Sequence, residues 1–421
     1  MTILSFRKAH HLLTDLPAAV GREAVPLARA LGRRAAEDLQ APHALPERPR
    51  AAMDGYVLRA ADLPDIFWRE AVFSIAGSIQ VGEDPGPQLA AGTCRRVVTG
   101  AFLPPGGDAV IPQEAVEVQE GGRSLRLKKK VALGENVMLP GEEAIAQGDL
   151  LRRGQVLSPR DLLVLSSFGI EEVQVYRPLE VALAVTGSEL VAPGHVKGPF
   201  QIWESTSFFL EAELSRLGFR LQQTRRVGDD PGSLAETFED LLTLRPHVLI
   251  TTGGVSVGPR DWVPQVWREL GADIIVEKVQ MKPGKAFLAG RLGETWLFGL
   301  SGNPPAALTS FYALVRPALF CLAGGEPSPW RWGLLGEDVH KPPNRPRFIW
   351  ATAEGGIFHP LQDLPTLEAL QKADHLLLLE PRDDPYRQGD AVQAISLEDR
   401  EDAPLSFPAS PVAGRESLHG S

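Results

Sequence analysis

The sequence predicts a multidomain α/β protein, with one doubly wound α/β domain, β-rich domains and a small helical subdomain. Three observations carry that prediction. Residues 179–323 alternate short apolar runs with segments of helical period; residues 53–131 show short alternating runs divided by Gly and Pro; and 421 residues exceed the size one hydrophobic core usually serves.

In chain order, Leu12, Leu13 and Leu16, then Leu27, Ala30, Leu31 and Ala35, predict helix over 5–40, interrupted at Pro17 and ended by the proline-punctuated stretch 41–49. Val72, Val97, Val98, Val110, Ile111, Val116, Val118, Leu125 and Leu127 then mark strands of a β-domain over 46–139. Helix returns over 157–170, with Ser158 as N-cap, Pro159 at the first position and Gly169 as the stop. Helical flanks on either side of a β insert suggest one discontinuous, elongated subdomain of residues 1–45 and 140–177.

The third region, 178–326, carries strand 181–186, helix 205–217, a helix opened by Asp230 and Pro231, strand 247–252, helix 261–270 and strand 273–276. Regular βαβ alternation predicts a parallel sheet with helices on both faces, and such sheets bind ligands beyond the carboxyl ends of their strands. Residues 327–398 alternate like a small β-barrel domain. The stretch 399–421, rich in Ser, Pro, Gly and Glu, reads as a disordered tail.

Composition narrows the function. A net charge of −10 argues against non-specific nucleic-acid binding, and Lys128–Lys130 reads as a solvated strand end. No stretch approaches the length of a spanning helix and the first residues lack a signal peptide's apolar run, so neither membrane nor export is expected. Cys94 and Cys321 have no C-x-x-C partner, in keeping with a reducing cytoplasm. His10 and His11 are expected to be solvated rather than a metal pair.

Four segments carry chemistry. T-T-G-G-V-S-V-G-P-R-D (251–261) lies between strand and helix, where Gly253, Gly254, Ser256 and Gly258 can bring backbone N–H groups close to a phosphate; a packing turn is the other reading. Asp261 could cap the following helix or hold a cation against the same anion. T-G-S-E (186–189) ends a neighbouring strand, and Glu189 is either a Mg²⁺ ligand or a capping acid. M-K-P-G-K (281–285) presents Lys282 and Lys285 around a stiff turn with Lys278 just before, as an oxyanion site or as surface lysines. S-G-N-P (301–304) opens a helix, where Gly302, Asn303 and Pro304 make an anion seat or a plain cap. In the β-rich part, A-M-D-G-Y (52–56) and R-V-V-T-G-A (96–101) are turns carrying Asp54 and Thr99.

Together A-M-D-G-Y, R-R-V-V-T-G-A-F-L-P-P-G-G-D-A-V, P-G-E-E, V-T-G-S-E-L, V-G-D-D-P, the glycine loop, M-K-P-G-K and L-S-G-N-P resemble, in order and over residues 5–398, the MoeA family of molybdopterin molybdenumtransferases, to which a domain of gephyrin is related. The resemblance implies a cytoplasmic homodimer of four-domain subunits, with a site between the α/β domain of one subunit and the β-domain of the other. It implies insertion of molybdate into adenylylated molybdopterin with Mg²⁺ assisting and AMP released. By motif it assigns the functional acids to Asp54, Glu189, Asp230 and Asp261, the threonine to Thr99 and the lysines to Lys278, Lys282 and Lys285. Glu189 and Asp261 would hold Mg²⁺, Lys282 and Lys285 molybdate, and Asp54 with Thr99 would reach across the dimer. The molybdopterin adenylyltransferase and apo molybdoenzymes are the implied protein partners.

The chain departs from the family at several points. Ser301 replaces a proline, Ala306 a serine, Glu143 and Ser188 aspartates; Trp350 stands where an arginine follows the family's aromatic position, and Leu361–Asp363 replaces Q-G-S. Two other readings remain open from sequence. A MogA-type adenylyltransferase shares the glycine-loop fold but lacks the long β-rich half, and a non-catalytic pterin-binding scaffold would explain the departures.

Overall fold

The computed structural model describes residues 3–63, 71–119, 121–256, 258, 261–327, 329–339 and 343–398. The expected tail, 399–421, lies outside the described residues. The chain forms two compact units, one of residues 38–151 with 167–169 and the other of everything before 38, 152–166 and from 170 onward.

The inserted unit is built on a six-stranded sheet in the order Ala109–Pro112, Gly55–Leu58, Thr93–Val97, Val72–Ile79, Ser124–Leu127, Val116–Gln119. Its pairings are antiparallel except between Val72–Ile79 and Thr93–Val97. Alternation sends Tyr56, Leu58, Phe73, Cys94, Ile111 and Leu125 to one core and Val57, Ile79, Val97 and Val110 to another, so the central strands are covered on both faces. Burying a side chain such as Phe73 contributes roughly 1.5–3 kcal/mol. Gly55 is required by close approach, because a Cβ there would lie 2.1 Å from the Ile111 carbonyl oxygen.

In the larger unit a second six-stranded sheet runs Arg220–Val227, Glu180–Thr186, Val248–Thr252, Thr295–Leu300, Phe287–Leu292, Asp273–Glu277. The first four strands are parallel, as the βαβ pattern predicts, but the sheet is mixed. Phe287–Leu292 and Thr295–Leu300 form a hairpin around Gly293 (φ 57°), and Asp273–Glu277 pairs antiparallel with the hairpin's first strand at the sheet edge. The two-residue turn, Gly293–Glu294, is too short for a parallel crossover. Helices cover both faces. Thr206–Arg216 packs Leu210 and Leu214 against Val181, Leu183 and Ile250, while Pro231–Thr243 and Val263–Glu269 set Leu234, Phe238 and Trp267 against Ala182, Leu249 and Leu297.

Helix over 5–40 is not what forms. Phe6–Thr14 is helical, with the Ser5 side chain accepting from Lys8 N–H, but Arg22–Pro26 is a strand paired with Glu172–Tyr176 and Leu27–Arg29 is one 3₁₀ turn. Pro17 and Pro26 cannot donate to a helix, Gly32 sits at φ 73°, and the strand partner arrives from far along the chain. Ala30 and Ala35 are still buried, so their helical spacing reported burial rather than conformation. His10 also departs from expectation: it stacks on Phe6 and Trp330 at 5.7 and 5.8 Å, and burial beside Arg7 brings its pKa down to about 4. Only His11 is exposed.

The helical run Pro304–Leu322 is 19 residues long and apolar enough to cross a membrane by length and composition, against the expectation of no such stretch; 83% of its apolar window is buried in the core. Its middle turn, Phe311–Val315, is π-helical. Beyond it, Arg331–Leu335, Ile357–Pro360, Arg347–Glu354, His375–Leu379 and Ala391–Ser396 close into a barrel filled by Leu335, Ile349, Phe358, Leu377 and Val392.

Candidate functional site

Three of the sequence motifs meet in one cleft of about 270 Å³ at the carboxyl ends of the parallel strands. Thr186, Gly187 and Glu189 form one wall, Thr252, Gly253, Gly254 and Asp261 the second, Gly302 and Pro304 the third. Backbone dominates here because glycine permits nothing else. Gly253 (φ 86°) would place a Cβ 2.5 Å from both the carbonyl and hydroxyl oxygens of Thr186, and a Cβ on Gly302 would sit 3.4 Å from the Gly253 Cα. The two glycine segments are therefore in backbone contact.

Asp261 closes its own loop: its Oδ2 accepts from Gly258 N–H at 2.6 Å while its N–H donates to the Gly258 carbonyl at 3.1 Å. Ser256 is exposed on that loop. Glu189 is exposed, and among the described residues its carboxylate has no hydrogen-bond or ion-pair partner. Thr186 Oγ1 is shut away from solvent without a hydrogen-bond partner, an arrangement that costs free energy unless a polar ligand completes it. The donors facing the cleft are oxygens, which suits Mg²⁺. Among the described residues no three of His, Cys, Asp and Glu converge as a self-sufficient metal cage. A magnesium ion here would draw ligands from Glu189 and Asp261, with the remainder from water and substrate phosphate.

A fourth wall was not foreseen from sequence. Ile202, Trp203, Glu204, Ser205 and Thr206 line the cleft, with Asp229 nearby. Glu204 is 2% exposed and accepts from Ser207 N–H at 2.7 Å and Ser207 Oγ at 2.6 Å, which ties the wall to the start of the Thr206–Arg216 helix. The E-S-T-S run is a readable helix-start signal, but which cleft it faces depends on the tertiary fold. Asp229 is held by a reciprocal pair with Ser188, 3.1 Å from Ser188 N–H to Oδ2 and 3.0 Å from Asp229 N–H to Ser188 Oγ. Its neighbour Asp230, the candidate by motif, caps the Pro231–Thr243 helix instead of lining the cleft; Ser233 N–H at 2.8 Å lowers its pKa.

The M-K-P-G-K turn does not line this cleft. It packs on the same helix one turn further along, where Gly284 (φ 99°) would drive a Cβ to 2.5 Å from Ser310 Oγ. Lys282 and Lys285 are both exposed, and the Lys282–Pro283 peptide is cis. Lys278 adopts φ 70° and its carbonyl accepts from Leu4 N–H at 3.2 Å. Asn303 is the N-cap residue of the Pro304–Ser310 helix, with its N–H 3.3 Å from Ser301 Oγ; its own side chain makes no capping bond.

Asp54 and Thr99 belong to the inserted unit and find each other there. Asp54 Oδ1 accepts from Thr99 N–H and Thr99 Oγ1, both at 2.8 Å, and these bonds hold its carboxyl below the usual range. A larger cavity, about 690 Å³, opens at the amino ends of the sheet between Pro17–Ala19, Arg245–His247 and Arg291–Trp296. None of the chemistry-bearing motifs reaches it, so size alone does not make it the site.

Comparison with known proteins accords with this geometry. Residues 4–169 match the MoeA N-terminal region (domain I and II), and residues 182–320 match a probable molybdopterin binding domain. The molybdopterin molybdenumtransferase of Haemophilus influenzae is 34% identical over 314 residues, 74% of this chain and 76% of that protein. That of Synechococcus elongatus is 32% identical over 414 residues, 94% of this chain and 100% of the relative. The crystal structure of a molybdopterin biosynthesis MoeA protein from Pyrococcus horikosii superposes with a TM-score of 0.82 at 29% identity, covering 94% of this chain and 100% of that one. The chain belongs to the MoeA family and is a molybdopterin molybdenumtransferase of molybdenum cofactor biosynthesis.

Proposed function

We propose that the enzyme inserts molybdate into adenylylated molybdopterin in a Mg²⁺-dependent reaction that releases AMP. The observation that carries this reading is the meeting of three backbone-rich motifs around an unpartnered buried hydroxyl, Thr186 Oγ1. A pyrophosphate linking pterin and adenosine presents many acceptor oxygens; Gly253 N–H is already given to the Leu300 carbonyl at 2.9 Å and Pro304 and Pro305 carry no N–H, so the Gly254 N–H and the Thr186 hydroxyl are the donors that can meet such a group. Mg²⁺, when bound, supplies positive charge against those oxygens. Glu189 and Asp261 would hold it, and the Gly258–Asp261 hydrogen bond fixes the second of these acids. Trp203 gives the cleft an apolar side against which a flat ring can lie.

The balance of the reaction is simple. Two dithiolene sulfurs replace one oxygen of molybdate, which leaves as water, and the equivalent of one water cleaves the pyrophosphate to free AMP. Lys282 and Lys285, as exposed cations on the turn packed against the Pro304–Leu322 helix, bind the molybdate substrate. Asp54 and Thr99 of a second copy of the chain complete the site in a homodimer, with the Thr99 bonds keeping Asp54 ionised. Buried, free Cys94 and Cys321 accord with a cytoplasmic setting, and the molybdopterin adenylyltransferase and apo molybdoenzymes would supply the substrate and take the product.

The test mixes the full chain with adenylylated molybdopterin, Mg²⁺ and molybdate and follows AMP together with activation of an apo molybdoenzyme. Both should appear together and both should require Mg²⁺. AMP without active cofactor would overturn the proposal.

A further inference from the structure

The cavity at the amino ends of the α/β sheet, about 690 Å³, has the size that holds small organic ligands. Its apolar lining comes from Pro17, Leu242, Pro246, Leu292 and Trp296. Trp296 is 7% exposed, with the Arg291 guanidinium 5.5 Å from its ring centre and paired with Glu294 at 2.9 Å. That arginine is already engaged, and the Thr295 hydroxyl is given to the Pro246 carbonyl at 2.7 Å. Two other polar side chains in the lining are not engaged. Among the described residues nothing accepts from the Arg245 guanidinium, and His247 uses only Nδ1, which accepts from Glu180 N–H at 3.1 Å. An accepting Nδ1 puts the ring proton on Nε2, so both free groups are donors.

Arg245 also stands where the backbone disfavours it. It follows Leu244, the C-cap of the Pro231–Thr243 helix, at φ 51°, and its N–H returns to the Leu242 carbonyl at 2.9 Å. A left-handed helix stop of this kind suits glycine, because a Cβ there crowds the neighbouring carbonyl. A cation gains something at the negative end of a helix, but the turn by itself calls for no side chain. The guanidinium lines the cavity together with His247, two residues further on. Glu294 is the one carboxylate in that lining and is spent on Arg291, which leaves the Arg245 charge unanswered.

We propose that this cavity binds a small organic monocarboxylate with an apolar body. The Arg245 fork donates to both carboxylate oxygens, His247 Nε2–H donates to one of them, and the body packs against Leu242, Leu292 and Trp296. One unanswered positive charge matches one negative charge. An inorganic anion would leave the apolar lining uncovered, and a neutral ring would leave the arginine without an acceptor. The site is separate from the strand-end cleft: it lies at the amino ends of the Val248–Thr252 and Thr295–Leu300 strands, whose carboxyl ends lead into the cleft's two glycine walls. Occupancy of this cavity requires nothing of the proposed reaction.

Benzoate is the probe, titrated into the full chain by calorimetry beside thermal melts of each variant. Arg245→Gln should weaken binding by about tenfold or more, since the charge-assisted hydrogen bonds are lost while the melt of the unliganded chain is unchanged. Arg245→Gly should lose as much affinity with a melt that holds or rises, because glycine relieves the left-handed position. Arg245→Lys should recover part of the affinity, the charge returning without the fork. His247→Asn keeps an acceptor for Glu180 N–H and removes the Nε2 donor, so it should weaken binding about three- to tenfold. Neither phosphate at equal ionic strength nor benzyl alcohol should displace benzoate. Benzoate affinity within twofold of the parent in Arg245→Gln, or no saturable binding by the parent chain, would overturn the proposal. Displacement of benzoate by adenylylated molybdopterin would put the probe in the strand-end cleft and overturn it equally.

Discussion

The strand-end cleft and the lysine turn share one helix, yet they are built from opposite materials. The cleft is made of backbone: Gly253, Gly254 and Gly302 bring main chain to main chain, and Asp261 is fixed by a hydrogen bond to its own loop. The turn is made of charge: Lys282 and Arg347 stand side by side with no counter-ion among the described residues. A backbone site is specified by what cannot be there, a Cβ, whereas a charged site is specified by what must be. The first should therefore fail through shape and the second through ionic strength and charge.

The largest effect should come from Gly253→Ala. The added Cβ meets Thr186 at 2.5 Å in a residue held at φ 86°, so about 1–3 kcal/mol of stability and about 10²-fold in activity should go together. A thermal melt with the coupled assay checks this, and full activity in the variant would mean the glycine segments are not a precise cradle. Asp261→Asn keeps the shape and removes the charge. It should lower turnover by about 10–100-fold with little change in the melt, and equal loss of both would make Asp261 merely a loop brace.

Two smaller tests address how the acids are held. Thr99→Val removes one of the two donors to Asp54, so the Asp54 titration followed by NMR should move up toward the usual carboxylate range. Because the folded-state value is depressed, the interaction contributes fully above the usual carboxylate range and fades as pH falls through the lower folded value. An unmoved titration would mean the backbone donor alone sets it. Ser188→Ala breaks half of the reciprocal pair with Asp229 and should cost about 0.5–1.5 kcal/mol in a denaturant melt with a smaller effect on turnover.

What could be read in the sequence follows the same division. The glycine loop, T-G-S-E and S-G-N-P were legible because their chemistry is local: a glycine between strand and helix has few uses. The wall at Trp203–Thr206 was not, since it is brought to the cleft by a chain segment with no repeating pattern of its own. Asp229 and Asp230 are adjacent, and only the direction of the Pro231–Thr243 helix decides which one caps and which one faces the cleft. The strand at Arg22–Pro26 was masked by apolar spacing that mimics a helix, and its partner lies at Glu172–Tyr176. The pairing of Lys282 with Arg347 joins two segments whose relation exists only in the folded unit.

The Pro304–Leu322 helix has a consequence for how the chain is made. Its apolar surface is covered from both directions, by Phe6, Leu13 and the Thr14 carbonyl bonded to Cys321 on one side, and by Trp350, Ile395 and the Ser396 carbonyl bonded to Arg316 on the other. A ribosome delivers the first cover long before the helix and the second well after it. During that interval a segment greasy enough to be mistaken for a membrane anchor is half dressed, so release of the larger unit from chaperones should wait for synthesis of the barrel's last strand.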